Sequence, residues 1–384
     1  MNKTLPLFGV TLLAALAVAG CAGQSNTALP NSSAAVTLHR TQGSAGAAGV
    51  LAVSSCKPCA TYQNGPASEY FFKGTGKKPY RKVSNGVAAP WVGLVFNGSG
   101  DLFVANCTTC LTGQSGVNNV VEFKPNQGTP VVTITNGITY PFDLALDSSG
   151  TLYASNLGCY SPSCYGQVSE YPSGYQSGSP SAVLQVKYPL GLALDSHQNL
   201  YVANCAVCSS GVKGSDQILV YAPGATTPFR TISTGVNEPV ALAIDSADDL
   251  YVANCLNCGL GAAAYVSGPD SVTEYAYGGY SPVRTISYSQ IDVPFSLAVD
   301  KSDDLFVGNY AVNTVTEYPP GGSTPSRTYS DGVSSPASLA ITAKGELYVS
   351  NAGNGTVTGY AANSHGQLNK TLSVPYPSSI AVSP

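Results

Sequence analysis

Ten of the eleven cysteines fall into five close pairs: Cys56/Cys59, Cys107/Cys110, Cys159/Cys164, Cys205/Cys208 and Cys255/Cys258. Thiols at this spacing support three chemistries. A pair can close a local disulfide outside the cytoplasm. Two pairs that meet can hold zinc with four thiolates. A Cys-x-x-Cys at a helix N-terminus, where the thiol pKa falls, can run redox exchange. Here each pair follows a strand-like phrase, such as NLYVANC (199–205) or DLYVANC (249–255), which weighs against redox catalysis. No Cys-x-x-Cys is followed by His, so covalent haem attachment is excluded. Parity favours local disulfides. The corresponding loops NYAVN (309–313) and NAGNG (351–355) lack both cysteines, no unit keeps just one, and zinc taking two pairs each would leave a pair over. Such small rings are worth about 2 kcal/mol each by chain entropy, and they would stiffen Gly-rich loops.

The same loops share a face with a second set of candidates. Just after entry prolines stand Trp91, Phe142 and Phe295, where other units carry Leu190, Val240, Ala337 and Ser378. Tyr140, Tyr188 and Tyr310 join them on this cysteine face. Aromatic rings beside amides suit sugar or peptide surfaces, with rim packing as the alternative. Four acids from different units point to the same place: Asp143, Glu238, Asp292 and Asp331. These residues are the candidate ligand-binding face, and no catalytic residue or metal ligand is assigned. His39, His197 and His365 are scattered, so a histidine-based site is not expected. Asp147, Asp195, Asp245 and Asp300 read as turn caps, since a calcium loop needs more oxygen ligands and usually a central Gly. Asn106, Asn156, Asn204, Asn254, Asn309 and Asn351, at strand ends, read as caps of the turns leaving those strands.

What positions these residues is a repeat. DLFVANC (101–107), TLYASN (151–156), NLYVANC, DLYVANC, DLFVGN (304–309) and ELYVSN (346–351) recur, with a worn copy VLAVSSC (50–56), at spacings of 42 to 55 residues. Upstream of the phrase lies another strand, as in PFDLALD (141–147), PLGLALD (189–195) and PVALAID (239–245), joined to it by a short turn. Downstream come VVEF, VSEY, ILVY and VTEY, then a fourth strand after a proline, as in PFRTISTGV (228–236). Each unit is therefore four antiparallel strands. One such sheet cannot cover its own faces, but radial stacking buries both. Ala145, Ala193, Ala243, Ala298, Ala340 and Ala381, with Val95 the exception, recur where the innermost strands would converge and only small side chains fit. The N-terminal unit lacks a first strand, and PSSIAVSP (377–384) is a first strand with nothing after it. Paired, they complete a seventh blade. The expectation is all-β: a seven-bladed β-propeller over residues 49–384, closed by pairing of the N- and C-terminal strands.

The phrase LYVAN resembles NHL and YVTN-type β-propellers, a likeness specific for fold and weak for function. Propellers of the regucalcin and gluconolactonase kind hold a central divalent cation with carboxylates and Asn, and streptogramin-lyase and amidating-lyase propellers use histidines. No such motif maps onto particular positions here.

The ends of the chain bear on location. Residues 1–20 read as an export signal, with Lys3, an apolar run and small residues. VAGC, ending at Cys21, resembles the lipobox of bacterial lipoproteins. The resemblance implies lipid attachment at Cys21 and, with Ala22 and Gly23 following, sorting to the outer membrane. Residues 21–48 are small and polar, a composition that gives a flexible tether. Gly (41), Pro (26) and Tyr (24) are plentiful while charged residues are only 10%, as suits an exported all-β chain. A net charge of −4 without a basic cluster argues against nucleic acid. The first functional expectation is a non-enzymatic, lipid-anchored envelope monomer without cofactor that binds or scaffolds a protein or glycan. The alternative is a small-molecule hydrolase or lyase, gluconolactonase-like or streptogramin-lyase-like, with a divalent cation in the central channel.

Overall fold

Short strands that alternate large and small residues, separated by tight turns, pair with their sequence neighbours before anything else. The computed structural model describes residues 49–56, 67–73, 78–90, 93–108, 116, 118–158, 165–175, 178–206, 208, 215–256, 258, 269–287, 289, 291–362 and 364–384. The expected signal and tether (1–48), with Cys21, lie outside these residues.

Six blades each run through one continuous stretch. Blade 1 comprises Leu94–Phe96, Leu102–Asn106, Asn119–Phe123 and Val132–Ile134. Blade 2 comprises Pro141–Leu146, Leu152–Asn156, Gly166–Tyr171 and Ala182–Val186. Blade 3 comprises Pro189–Leu194, Leu200–Asn204, Gln217–Tyr221 and Arg230–Ile232. Blade 4 comprises Pro239–Ile244, Leu250–Asn254, Ser271–Tyr275 and Arg284–Ile286. Blade 5 comprises Pro294–Val299, Leu305–Asn309, Thr314–Tyr318 and Arg327–Tyr329. Blade 6 comprises Pro336–Ile341, Leu347–Asn351, Thr356–Tyr360 and Leu368–Ser373.

The expected count of seven is corrected accordingly: the continuous blades number six, not seven. The remaining four-stranded sheet is a composite, Pro377–Val382 followed by Val50–Cys56, Ala67–Lys73 and Arg81–Val83. The physical reason is that the N-terminal segment has no inner strand of its own and must borrow one. Leu51, Ala52 and Val53 pair antiparallel with Val382, Ala381 and Ile380. Val50 N donates to Ser383 Oγ and Ser383 N to Val50 O, both at 2.8 Å. The first strand of each sheet then packs on the first strand of the next, all the way round.

The alanines sit in this inner wall and are buried. Five of them face an aromatic ring on the second strand of their own blade: Ala145 with Tyr153, Ala193 with Tyr201, Ala243 with Tyr251, Ala298 with Phe306 and Ala340 with Tyr348, while Ala381 faces Ala52. Small-against-large pairing fills the wedge between converging sheets. The approach is close at Gly191, where a Cβ would stand 2.9 Å from the Val240 carbonyl oxygen.

The turns between first and second strands are closed by their leading aspartates, as expected. Asp147 Oδ1 accepts from the backbone of Ser149 and Thr151, Asp195 Oδ1 from His197 and Asn199, Asp245 Oδ1 from Ala247 and Asp249, and Asp300 Oδ1 from Ser302 and Asp304.

Candidate functional site

The cysteine face begins where each second strand ends. A residue at the end of the second strand, or directly after it, donates its backbone N–H to the carbonyl of the residue before the same sheet's entry proline. Cys56 bonds Tyr376, Cys107 bonds Ala89, Leu157 bonds Tyr140, Cys205 bonds Tyr188, Cys255 bonds Glu238, Tyr310 bonds Val293 and Ala352 bonds Ser335, all at 3.0–3.1 Å. These bonds recur in every sheet. Most of the accepting residues are strained. Ala89, Tyr140, Glu238, Val293, Ser335 and Tyr376 have φ between 45° and 53°, although each precedes a proline. A left-handed non-glycine costs on the order of 1 kcal/mol, and a following proline makes helical geometry worse.

The asparagines hold this strained entry. Oδ1 of Asn106, Asn156, Asn204, Asn254 and Asn351 accepts from the backbone N–H of Ala88, Thr139, Tyr188, Asn237 and Ser334. Their amides donate toward the third strand or nearby carbonyls, as Asn254 does to Thr273 and Asn351 to Thr358. The expected structural role is therefore right, but the segment capped is the one entering the blade, not the turn leaving the strand.

Two cysteine pairs lie at disulfide distance in the described residues. Cys205–Cys208 and Cys255–Cys258 have Cα atoms 5.3 Å apart. Cys56 and Cys107 are also disulfide-bonded, and Cys59, Cys110, Cys159 and Cys164 lie outside the described residues. The six described sulfurs are buried, within one apolar cluster that also takes in Ala89, Phe142, Tyr188, Leu190, Val240 and Phe295. Tyr140 and Tyr310 pack against its edge, Tyr310 with its ring 5.8 Å from that of Phe295. Phe142, Tyr188 and Phe295 are thus floor rather than surface, while Tyr140 and Tyr310 are half-exposed. Trp91 lies outside the described residues.

The four acids separate. Asp143 is buried, and both carboxylate oxygens accept backbone N–H groups: Oδ1 from Leu144 and Oδ2 from Leu192 of blade 3, each at 2.8 Å. Burial holds its pKa well above the usual carboxylate range, against the opposing pull of those two bonds. It ties two inner strands together. Ser338 Oγ does the same for blade 6, accepting from Ile380 N. Asp292 is half-buried and Asp331 exposed.

Glu238 differs. It is 6% exposed, and its pKa is pushed up to about 8, first by burial and then by the charges of Asp216 and Asp270. Those two aspartates are additions from the structure. Each sits just before a third strand and caps a strained entry: Asp216 Oδ2 accepts from Glu238 N at 2.8 Å, and Asp270 Oδ2 from Val293 N at 2.7 Å. Asn313 repeats this with Ser335 N in blade 6's entry. The signal that would have found them is the polar residue directly preceding QILVY, SVTEY and TVTEY. Among the described residues, no three His, Cys, Asp or Glu side chains gather in an arrangement that holds a metal ion.

No family profile and no curated protein matches the chain. Solved structures do. Streptogramin B lyase aligns with a TM-score of 0.56 at 10% identity, over 75% of this chain and 86% of that one. The WD40 β-propeller domain of Doa1 aligns at 0.55 and 13%, over 75% and 84%. A chain of a nidogen/laminin complex aligns at 0.50 and 14%, over 71% and 96%. At these identities the likeness is one of fold, and the chain is a β-propeller of four-stranded antiparallel blades.

Proposed function

We propose that this chain is a binding or scaffold propeller, holding a protein or glycan partner outside the cytoplasm as a monomer tethered through a lipid on Cys21. The supporting observation is how the cysteine face is built. Disulfides, buried aromatics and the recurrent backbone bonds make a stiff floor, and the buried Asp143 is committed to two backbone N–H groups. A stiff floor lowers the ordering cost of association. The half-exposed Tyr140 and Tyr310, the exposed Tyr376 and the half-buried Asp292 are what it offers a partner. The fold likeness includes a chain of a nidogen/laminin complex and a WD40 domain, so partner binding is within the range of this architecture.

The test is a photo-cross-linking residue placed at Tyr376 in intact cells, with the same residue at the exposed outer-edge Val131 as control. A discrete adduct from position 376 and none from 131 supports the reading. The reverse pattern overturns it. The alternative, a hydrolase or lyase with a cation in the channel, draws on Glu238 beside Asp216 and Asp270 and on the fold of streptogramin B lyase. One tightly held Ca or Zn per purified chain, lost in Glu238→Gln, would replace the scaffold reading with that one.

A further inference from the structure

The opposite face carries a patch that the repeat does not explain. Its turns differ between blades. Those of blades 3, 4 and 5 read DSHQN (195–199), DSADD (245–249) and DKSDD (300–304), seven aspartates against Lys301 alone, a net of −6. Those of blades 1, 2 and 6 read NGSGD (97–101), DSSGT (147–151) and TAKGE (342–346), three carboxylates against Lys344, a net of −2. The whole chain has a net charge of −4, so all residues outside the first three turns together sum to +2. These three turns, one sector of the face, carry more negative charge than the rest of the chain, although Asp195 and Asp248 are buried and Arg230, Arg284 and Arg327 begin the outer strands of the same blades.

That sector is continuous across blades. Ser196 donates through N–H and Oγ to the two oxygens of Asp248, at 2.8 and 2.6 Å, and Ser246 does likewise to Asp303, at 2.9 and 2.7 Å. At the position of Asp248 and Asp303, blades 1, 2 and 6 use Gly100, Gly150 and Gly345, all with positive φ. The aspartates accept φ of 65° and 63° to make the cross-blade link.

Exposed aromatic rings lie on the same sector. Tyr277 is 48% exposed, its ring stacked on His197 at 5.2 Å and 14°, and its N–H donates to Asp249 Oδ1 at 2.8 Å. His197 in turn stands 3.1 Å from Asp248 with its side chain 59% exposed. Tyr280, three residues along the same turn, is 60% exposed, and Phe229 is 58% exposed beside Arg230, whose guanidinium approaches Gly278. Flat rings set among carboxylates match a guanidinium or ammonium group, which stacks on the ring and is drawn by the acids.

We propose that this sector, centred on Tyr277 and Tyr280 with the half-buried Asp249 beside them, docks a positively charged, Arg-containing peptide segment of a partner protein. The surface is separate from the cysteine face, so it stands whether or not the binding role assigned to that face holds. The probe is a fluorescein-labelled octapeptide of alternating Arg and Gly, with a Glu–Gly octapeptide as control, titrated against the full-length protein in detergent and followed by anisotropy. The expected result is saturable binding of the Arg peptide only, weakened about 5- to 10-fold by Tyr277→Ala with Tyr280→Ala at unchanged melting temperature. It should also weaken as NaCl rises from roughly 50 to 500 mM. Three outcomes overturn the proposal. One is no saturable binding. Another is binding that Asp249→Asn with Asp304→Asn removes but the tyrosine pair leaves intact, which marks diffuse charge attraction. The third is displacement by a neutral oligosaccharide with loss in the same tyrosine variants, which marks a glycan site.

Discussion

The two faces of this propeller solve the same problem, turning the chain between neighbouring strands, in opposite ways. On the cysteine face one backbone bond recurs in every sheet, five asparagines cap blade entries, four of them strained, and the described disulfides lie buried below them. On the other face, among the described residues, side-chain links between the turns that join first to second strands run sideways from blade 2 to 3, 3 to 4 and 4 to 5: Ser148 to Gln198, Ser196 to Asp248, Ser246 to Asp303. Repetition on the first face marks structure, because a bond needed by every blade is a bond about folding. Departure from repetition on the second face isolates the acidic sector and its aromatic rings. The difference can be broken or sharpened by experiments that act on one face at a time.

The largest effect belongs to what both faces need, closure of the ring. Deleting residues 377–384 removes a strand whose six residues are all buried and exposes the edge of Val50–Cys56. Loss of the Ile380 and Val382 side chains with their pairing should destabilise by about 5 kcal/mol or more. The deletion should show up as a chain that melts far below the parent or accumulates as aggregate. A parent-like melting temperature would mean that the six continuous blades hold together without the composite sheet.

The next effect is confined to the cysteine face and depends on pH. The Glu238 pKa in the folded protein is raised from 4.5 to about 8, by burial first and by Asp216 and Asp270 second. Between those values the native protein keeps a proton that the unfolded chain has released, so stability falls as pH rises from about 4.5 to 8 and levels off above. Glu238→Gln removes the titrating proton. It should flatten that part of the profile and leave the variant about 2–4 kcal/mol more stable than the parent at pH 9, with little difference at pH 4. Urea melts of both proteins across this range would decide it. Parallel profiles would show that neither burial nor the neighbouring aspartates raises the Glu238 pKa in the folded protein.

Removing the buried pair Cys205–Cys208 as the double alanine should cost about 2 kcal/mol, the value for so short a ring. A reductant should lower the parent's melting temperature and leave the double variant less affected. It should not alter binding at Tyr277, because no sulfur described lies on that side. Reduction that shifts both faces equally would erase the comparison.

These cases also show what was legible beforehand. The strands, the alanine wall, the borrowed inner strand and the pairing of Cys205 with Cys208 and of Cys255 with Cys258 follow from local spacing, because each depends on residues a few positions apart or on one repeated position. The roles of Phe142, Phe295 and Asp143 do not. Whether a ring at the mouth of a propeller faces solvent or fills the floor depends on how far neighbouring blades lean together. The second partner of Asp143 is a backbone N–H at Leu192, in another blade. Asp216 and Asp270 stayed hidden because variable loops separate them from the phrase that sets the register. Tyr277 and Tyr280 were missed because they occur once, and a search built on repeats discards what does not recur.

The smallest effect is the most pointed, because it uses one substitution on both faces. Ser335 has φ 47° and its N–H is held by Asn313 Oδ1. Glycine there keeps that bond and removes the left-handed strain but gives up the Ser335 side chain's partly exposed hydrogen bond with Tyr310, so Ser335→Gly should stabilise by about 0.5 kcal/mol. Gln198 has φ 65°, but its side-chain Oε1 accepts the N–H of Ser148 from the neighbouring blade at 2.7 Å. Gln198→Gly relieves similar strain and loses that link, so its net change should stay within about 0.5 kcal/mol of zero. Chemical denaturation resolves the two. If both stabilise equally, the sideways bond at Gln198 contributes nothing. If neither does, the cysteine-face entries are not strained in solution, and the asparagines that cap them serve some purpose other than holding that conformation.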